Sequence, residues 1–400
     1  MGKKKCVPDV RLTKFDSEWI EHAVGELLAE RVDLSPKSDE YPLMAFVANQ
    51  GIVPKGERYD RSALVTDAEN KLYKKTELGD FIYSSNNLES GSIGLNNYGK
   101  ATISPVYSIF APTELGVSSF LGRRLVRSDF IREMVKWRQG VIYGQWRIHE
   151  SDFERIIVKV PSVDEQTEIG TFLQQADNLA LCNQKKLDKL YNIRAAMLEK
   201  MFPKGNENVP KVRFQEFSGS WEKHKVGDFL TESRIIGHTG LTAKKLTVKL
   251  WGKGVVEKSD VYGGSAHTQY YVRKAGQFMY GKLDFLHAAF GIVPDSLDGY
   301  ESTLDSPAFD LSGIDGRFLM NTVIQENFYL KNGMIANGSR KAKRIHADTF
   351  LEMDILVPDI EEQKKIGDYF SQLDKQISFA QLEISKLQNL KKALLEKMFV

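Results

Sequence analysis

Cysteines and long apolar runs are scarce in this chain of 400 residues. The two cysteines, Cys6 and Cys182, are too few for a disulfide framework or a structural zinc site. No apolar run approaches ~18 residues, the length that crosses a membrane as a helix. The start, MGKKKCVPDVR, has lysines but no apolar stretch behind them, so we expect no signal peptide and no membrane attachment. A reducing cytoplasm is the expected setting.

Strong net charge and cofactor motifs are also missing. The net charge of +2 is too small to indicate a nucleic-acid partner, so any basic surface must be local. GLNNYGKAT has the glycine and lysine spacing of a phosphate loop, but Ala101 replaces the Ser or Thr that would hold Mg²⁺. PDIEEQK has the residue types of a nuclease site, yet its acids suit the first turn of a helix. His149 and His346 lack metal-spaced neighbours. The sequence therefore predicts no catalytic residue, no metal site and no bound cofactor in this chain.

A long internal repeat is present instead. Four segment pairs lie 197 positions apart: VPSVDEQTEIG from 160 and VPDIEEQKKIG from 357, LEKMF from 198 and from 395, RIHESDF from 147 and RIHADTF from 344, GDFIY from 79 and GQFMY from 276. The opening VPDVRLTKFDSEW returns as VPKVRFQEFSGSW 202 positions later. One unit is therefore used twice, with similar ends and largely different middles.

The repeated tails have the pattern of long helices. Each follows a proline, with acids in its first turn. Apolar residues then alternate at spacings of four and three, which is typical of a coiled-coil seam. The seam positions are Ile169, Leu173, Ala176, Ala180, Asn183, Leu187 and Leu190 in the first tail, and Ile366, Phe370, Leu373, Ile377, Ala380, Ile384 and Leu387 in the second. Arg194 and Lys391 interrupt the two seams at equivalent positions. We therefore expect the tails to pair as antiparallel helices.

The variable middles mix strand-like and helix-like stretches. Strands are expected around DFIYS, TISPVYSIF and RIIVKV, and helices over residues 122–138 and 316–330. The fold class predicted is α+β, with two pseudo-twofold-related target-recognition domains separated by two long antiparallel coiled-coil helices. The predicted division is 1–159 for the N-terminal segment and first domain, 160–202 for the first spacer helix, 203–212 for a linker, 213–356 for the second domain and 357–400 for the second helix.

Local basic clusters precede the Arg-Ile-His segment in both units. Residues 123–147 contain seven basic residues and two acids, and residues 331–344 contain five basic residues and no acid. Because Arg and Lys neutralise phosphates, while Arg, Asn and Gln can read base edges, these clusters predict contact with DNA. The predicted DNA contacts are Arg123, Arg124, Arg127, Lys136, Arg138, Tyr143, Gln145, Arg147, Lys253, Lys282, Ser339, Arg340, Lys341, Lys343 and Arg344.

This layout resembles the specificity subunit of type I restriction–modification systems over essentially the whole chain. The resemblance rests on two variable middles, each followed by P-x-x-x-E-Q-x-x-I, a long helix and LEKMF, and on unit starts of the form W-x-x-x-x-V-G. It implies that each middle reads one half of a split site in double-stranded DNA. It also implies that the helices set the gap between the halves. The tail helices and the segments from Pro to Gln are the natural surface for partner subunits.

The resemblance further implies partners that supply the chemistry. Two modification subunits would bind S-adenosylmethionine and methylate adenine, and restriction subunits would hydrolyse ATP with Mg²⁺ and cut DNA. Two other interpretations stay open. A fused modification–restriction enzyme would need catalytic motifs in this chain, and a coiled-coil scaffold that does not bind DNA would leave the paired basic clusters unexplained.

Overall fold

The chain divides into two units, which are described one at a time. The computed structural model describes residues 7–54, 71–141, 145–259, 266–334 and 344–400. Unit 1 comprises residues 1–183 and 383–400, and unit 2 comprises residues 184–382. Each unit therefore combines one variable middle with the first part of the long helix that follows it and the last part of the other long helix. The predicted domain boundaries mark sequence segments and stay a prediction.

Unit 1 is built from antiparallel strands and short helices. Its strands are β1 Ile20–Ala23, β2 Leu28–Glu30, β3 Leu34–Ser35, β4 Met44–Val47, β5 Gly51–Pro54, β6 Tyr73–Thr76, β7 Phe81–Tyr83, β8 Ile93–Leu95, β9 Ala101–Ile103, β10 Ser108–Pro112, β11 Gln139–Val141, β12 Gln145–Arg147 and β13 Ile157–Val160. Its helices are α1 Val24–Leu27, α2 Ser118–Arg124, α3 Ser128–Lys136, α4 Glu150–Glu154 and the start of α5 Val163–Lys200. A four-stranded sheet has the order β2-β10-β7-β8 and a three-stranded sheet the order β3-β6-β9, beside the ribbons β1-β13, β4-β5 and β11-β12.

Unit 2 repeats this construction. Its strands are β14 Glu222–Lys225, β15 Leu230–Ser233, β16 Ile235–Thr239, β17 Leu246–Val248, β18 Val255–Glu257, β19 Gln269–Val272, β20 Phe278–Tyr280, β21 Phe290–Ile292, β22 Glu301–Ser302, β23 Ala308–Leu311 and β24 Asp354–Val357. Its helices are α6 Gly316–Val323, α7 Glu326–Gly333, α8 Ala347–Leu351 and the start of α9 Ile360–Lys397. The sheet orders are β15-β23-β20-β21 and β16-β19-β22, with ribbons β14-β24 and β17-β18. The middles therefore share a strand order although their sequences differ.

An aromatic cluster lies at the centre of each core. In unit 1 the ring of Phe153 lies 4.9 Å from Tyr83 and 4.7 Å from Phe110, between ring centroids. In unit 2 Phe350 lies 4.7 Å from Tyr280 and 5.6 Å from Phe309. Phe153 and Phe350 are the last residues of the repeated RIHESDF and RIHADTF segments. Tilted ring pairs at these distances add packing energy to apolar burial, so this repeated segment anchors the core of each unit.

Most positions of the two predicted seams are buried. Ile169, Leu173, Leu187 and Leu190 are buried on α5, and six of the seven seam positions on α9, all but Leu387, are buried too. In unit 2 the Gln381 amide donates to Tyr191 Oη at 2.6 Å, and Arg194 pairs with Asp374. Higher numbers on one helix meet lower numbers on the other, so the helix segments in this unit are antiparallel, as predicted. None of the described helices is long and apolar enough to cross a membrane.

Several local predictions needed correction. Residues 122–138 and 316–330 each hold two short helices rather than one, because the chain turns between α2 and α3 and again between α6 and α7. TISPVYSIF forms two strands, β9 and β10, since Pro105 lies in a turn closed by the Tyr107 N–H and the Ser104 carbonyl at 3.3 Å. His149 and His346 precede the short helices α4 and α8.

Candidate nucleic-acid interface

The repeated Glu of each P-x-x-x-E-Q segment holds its unit together. In unit 1 Arg11 forms two hydrogen bonds with the carboxylate of Glu165, at 2.7 and 2.6 Å. In unit 2 Arg213 does the same with Glu362, at 2.7 Å for both. Both carboxylates are buried, and a two-pronged Arg–carboxylate pair fixes direction as well as charge. Each pair therefore ties the opening segment of a unit to the start of its long helix. The sequence signal was the Arg and Glu that recur in both units.

The neighbouring Gln is also used internally. Gln166 donates to the Pro161 carbonyl and accepts from the Val117 N–H, both at 3.0 Å. Gln363 donates to Pro358 at 2.9 Å and accepts from the Asp315 N–H at 3.0 Å. These Gln side chains are buried and therefore unavailable to partner subunits, whereas residues 162–164 and 359–361 of the same Pro-to-Gln segments are exposed. The exposed faces of the long helices are also available as a surface for partner subunits.

The repeated LEKMF segment is a core component of each unit. In unit 1 the ring of Phe399 lies 5.3 Å from Phe120, and Met398 is buried beside it. In unit 2 the ring of Phe202 lies 5.6 Å from Phe318 and 5.7 Å from Trp221. The identical helix endings therefore close two cores of the same construction, which explains why these residues occur twice.

A loop between β7 and β8, residues 84–92, organises one face of unit 1; we call it hub loop 1. Its contacts are Ile148 N–H to Ser85 Oγ at 3.1 Å, Trp146 N–H to Asn86 Oδ1 at 2.6 Å, Arg138 to both oxygens of Glu89 at 3.0 and 2.7 Å, and Asn49 N–H to the Gly91 carbonyl at 3.0 Å. The loop thereby collects β12 and the turn between β4 and β5. Of the predicted contacts, Arg138 binds this loop through Glu89 and keeps only 10% of its side-chain exposure, and Arg147 lies in β12.

The equivalent loop between β20 and β21, residues 281–289, does the same in unit 2; we call it hub loop 2. The Ile345 N–H donates to the Lys282 carbonyl at 3.1 Å. The Trp251 N–H donates to the His287 carbonyl at 2.8 Å. Hub loop 2 therefore gathers three predicted contacts, Lys253, Lys282 and Arg344, from separate parts of the sequence. The low similarity of the middles hid this loop from sequence reasoning.

Carboxylates and cations are mixed around the two hub loops. Arg147 lies 3.6 Å from Glu150, and Arg344 lies 3.5 Å from Asp305, measured between charged atoms. These arginine side chains keep 56% and 40% of their exposure, so both can still reach a ligand. Burial lowers the pKa of Lys282, against the attraction of nearby acids. An anion beside Lys282 would offset that burial cost.

Three predicted contacts on and after α2 bind protein groups instead. Arg123 donates to Asp177 at 2.6 Å, on the long helix of its own unit. Arg124 is buried beside Asp129 at 3.0 Å, and burial lowers its pKa. Arg127 contacts Asp129 at 3.3 Å and donates to the Leu395 carbonyl. These guanidinium groups are occupied within unit 1, away from the contacts of hub loop 1.

The remaining predicted contacts lie apart or outside the described part of the chain. Lys136 is exposed at the end of α3 and pairs with Glu133. Lys253 is exposed in the loop between β17 and β18. Outside the described residues are Tyr143, the side chain of Gln145, Ser339, Arg340, Lys341 and Lys343. Contact with DNA stays a prediction for every residue of the set.

Comparisons with known proteins agree with the architecture. No family model matches the chain. The type I restriction enzyme MjaVIII specificity subunit of Methanocaldococcus jannaschii is 23% identical over 266 residues, and the match spans 61% of this chain and 61% of that relative. The crystal structure of a type I restriction–modification S subunit from M. genitalium matches 98% of this chain and 99% of its own, with 13% identity and a TM-score of 0.57. The HsdS subunit of Thermoanaerobacter tengcongensis is 15% identical over 95% of this chain and 96% of its own, with a TM-score of 0.46.

The match to the M. genitalium subunit extends over nearly the whole of both chains and concerns the fold. The sequence relative carries the same description independently. The resemblance indicated by the sequence is therefore confirmed: this chain has the fold of the specificity subunits of type I restriction–modification systems.

Proposed function

We propose that this chain is the DNA-recognition subunit of a type I restriction–modification assembly that works in the cytoplasm. The observation that supports the proposal most strongly is the pair of hub loops. Each lies on the same frame beside the equivalent residues Arg147 and Arg344, yet the other side chains that it gathers differ, with Arg138 in unit 1 and Lys253 and Lys282 in unit 2. Equal frames with different side chains around them suit two different half-sites.

Unit 1 would read one half of an asymmetric, bipartite site in double-stranded DNA, and unit 2 the other half. Cations at the hub loops would contact phosphates, while uncharged and acidic groups beside them would meet base edges. The two 38-residue helices α5 and α9 would set the gap between the halves. The two units would therefore determine the half-site sequences, and the helices would determine the length of the gap.

Catalysis would belong to partner subunits. Two modification subunits would dock on the exposed faces of the helices, bind S-adenosylmethionine and methylate adenine. Restriction subunits would add ATP- and Mg²⁺-dependent cleavage. This chain would supply specificity without a catalytic residue of its own.

A selection experiment tests the proposal. The full-length chain, co-expressed with its modification subunits, is incubated with duplexes of randomised sequence, and bound DNA is sequenced. We expect two short motifs separated by a fixed gap, with an affinity that falls steeply as salt rises. A stable protein assembly that enriches no sequence would favour the scaffold interpretation instead.

A further inference from the structure

The turn between β17 and β18 carries an aromatic residue in an unusual conformation. Trp251 has φ of 61°, in the left-handed region, and 57% of it is exposed to solvent. Bulky residues rarely adopt this region, because Cβ approaches the backbone carbonyl. Exposure of the indole is also unfavourable in water. The fold therefore tolerates two costs at one position.

Unit 1 shows what the turn itself requires. Asn49 occupies the equivalent position, 202 residues earlier, with the same φ of 61°. Asn adopts the left-handed region more readily than other side-chain-bearing residues, and here its amide also donates to the Ser90 carbonyl at 3.3 Å. The frame needs a left-handed residue at this point, and Asn is the residue that suits it. Turn geometry therefore does not explain the tryptophan.

Three backbone hydrogen bonds fix the turn that contains Trp251. Its N–H donates to the His287 carbonyl and the Gly252 N–H donates to the Ala288 carbonyl, both at 2.8 Å. The Lys249 N–H closes the turn on the Gly254 carbonyl at 2.8 Å. The indole meets the His287 ring edge-on at 5.6 Å between centroids. A fixed backbone that presents an exposed ring is preorganised for stacking.

Charge around the ring favours a nucleic acid over an apolar protein surface. Lys249 and Lys253 flank Trp251 and are both exposed. Neither lysine has an ion-pair partner among the residues that the structure describes. Asp284 lies 3.8 Å from His287, the residue whose ring the indole contacts. An aromatic platform between free cations is the arrangement that binds bases and phosphates together.

We propose that Trp251 is a specificity-determining contact of unit 2, which stacks on a base or wedges into a base step of the half-site that this unit reads. The inference rests on the proposed function, because it requires that unit 2 binds DNA. Insertion of an apolar side chain would unstack the step locally. Unit 1, with Asn49, would read its own half-site without this contact.

The test uses the assembled complex and the duplex recovered from the randomised library, with 2-aminopurine at each position of the half-site. Trp251→Asn installs the residue that unit 1 uses. We expect it to weaken binding about 5- to 150-fold, the range for one lost stacking contact, while the melting temperature is unchanged or higher. Binding of the wild-type complex should change the fluorescence at one 2-aminopurine position, and Trp251→Asn should abolish that change. Trp251→Phe should restore most of the affinity. The reciprocal Asn49→Trp should lower the melting temperature and leave the half-site of unit 2 unchanged.

Three results would overturn the inference while the wild-type complex still selects a bipartite site. The affinity of Trp251→Asn could stay within twofold of wild type. Both Trp251→Asn and Trp251→Phe could lose affinity together with melting temperature, which would mark a structural residue. Trp251→Asn could lose its modification subunits and keep its affinity for DNA, which would mean that Trp251 contacts a partner protein. Failure of the wild-type complex itself to select DNA would instead refute the proposed function, and this inference with it.

Discussion

Arg194 Nε lies 2.5 Å from Asp374 Oδ1 in unit 2, and the same pairing occurs in unit 1 between Lys391 and Asp177. Each basic residue lies 197 positions from the other, and so does each acid. Arg194 and Lys391 are the residues that interrupt the two apolar seams. The interruptions are therefore complementary charges that select one antiparallel register of the helix segments in each unit.

Charge reversal at this pair should act on stability through register. Arg194→Asp places two acids together, and we expect the melting temperature to fall by roughly 2–4 °C, corresponding to about 1 kcal/mol for a half-exposed pair. The double variant Arg194→Asp, Asp374→Arg should recover most of the loss. Calorimetry of the three proteins measures it. Equal melting temperatures for the single variant and wild type would refute a role in register.

Removal of a buried arginine should cost more. Arg213→Met leaves the carboxylate of Glu362 buried without its partner, so we expect a loss of about 3–5 kcal/mol. Lys14→Met is the matched control, because the Lys14–Glu168 pair also joins an opening segment to a long helix but is exposed. The control should change stability by less than about 1 kcal/mol. Chemical denaturation of both variants decides the point, and similar losses would contradict it.

Truncation of the repeated Phe should destabilise the unit whose core it enters. Phe399→Ala removes a buried ring from unit 1, with an expected loss of about 3–5 kcal/mol. Phe379 lies within α9, ahead of this ending, and is 61% exposed, so Phe379→Ala should be nearly neutral. Limited proteolysis should show earlier cleavage within residues 7–183 for the first variant. Unchanged protection would mean that the ending is not a core element.

The predicted DNA contacts should separate into two groups. Lys282→Ala with Arg344→Ala should lower DNA affinity and reduce the slope of log affinity against log salt by about 0.9 for each lost phosphate contact, with little change in melting temperature. Arg123→Ala should leave DNA affinity unchanged and lower the melting temperature, because its partner is Asp177 on the long helix. Salt titrations beside melting curves test this. Loss of DNA affinity in Arg123→Ala alone would reverse the assignment.

The frame was predictable from the sequence because the repeat carries it. The seam, the antiparallel pairing and the α+β class follow from spacings that survive in both halves, such as Ile169 with Ile366. The hub loops could not be found in this way. Hub loop 1 is held mostly through the side chains of Ser85, Asn86 and Glu89. Hub loop 2 is held through backbone bonds, such as Ile345 N–H to the Lys282 carbonyl, so the two loops share no residue pattern. Likewise, nothing local distinguished Arg123, tied to a helix, from Arg147, which stays accessible.

Helix length should control spacing alone. Seven residues inserted in register after Asn183 and after Leu382 preserve the four-three seam and lengthen each helix by about 10 Å. Because double-stranded DNA rises 3.4 Å for each base pair, the gap between half-sites should grow by about three base pairs. The half-sites themselves should not change. Selection from the randomised library measures both quantities, and an altered half-site with an unaltered gap would contradict the division of roles.

Methylation mapping is the most direct test of recognition by two separate domains. The chain is expressed with its modification subunits in a methylation-free host, and modified adenines are located by long-read sequencing, before and after residues 24–159 are replaced by the middle of a related chain. We expect one bipartite motif with a fixed gap. The replacement should alter one half of the motif and preserve the other half and the gap. Methylation that changes in both halves, or that shows no bipartite motif, would contradict it.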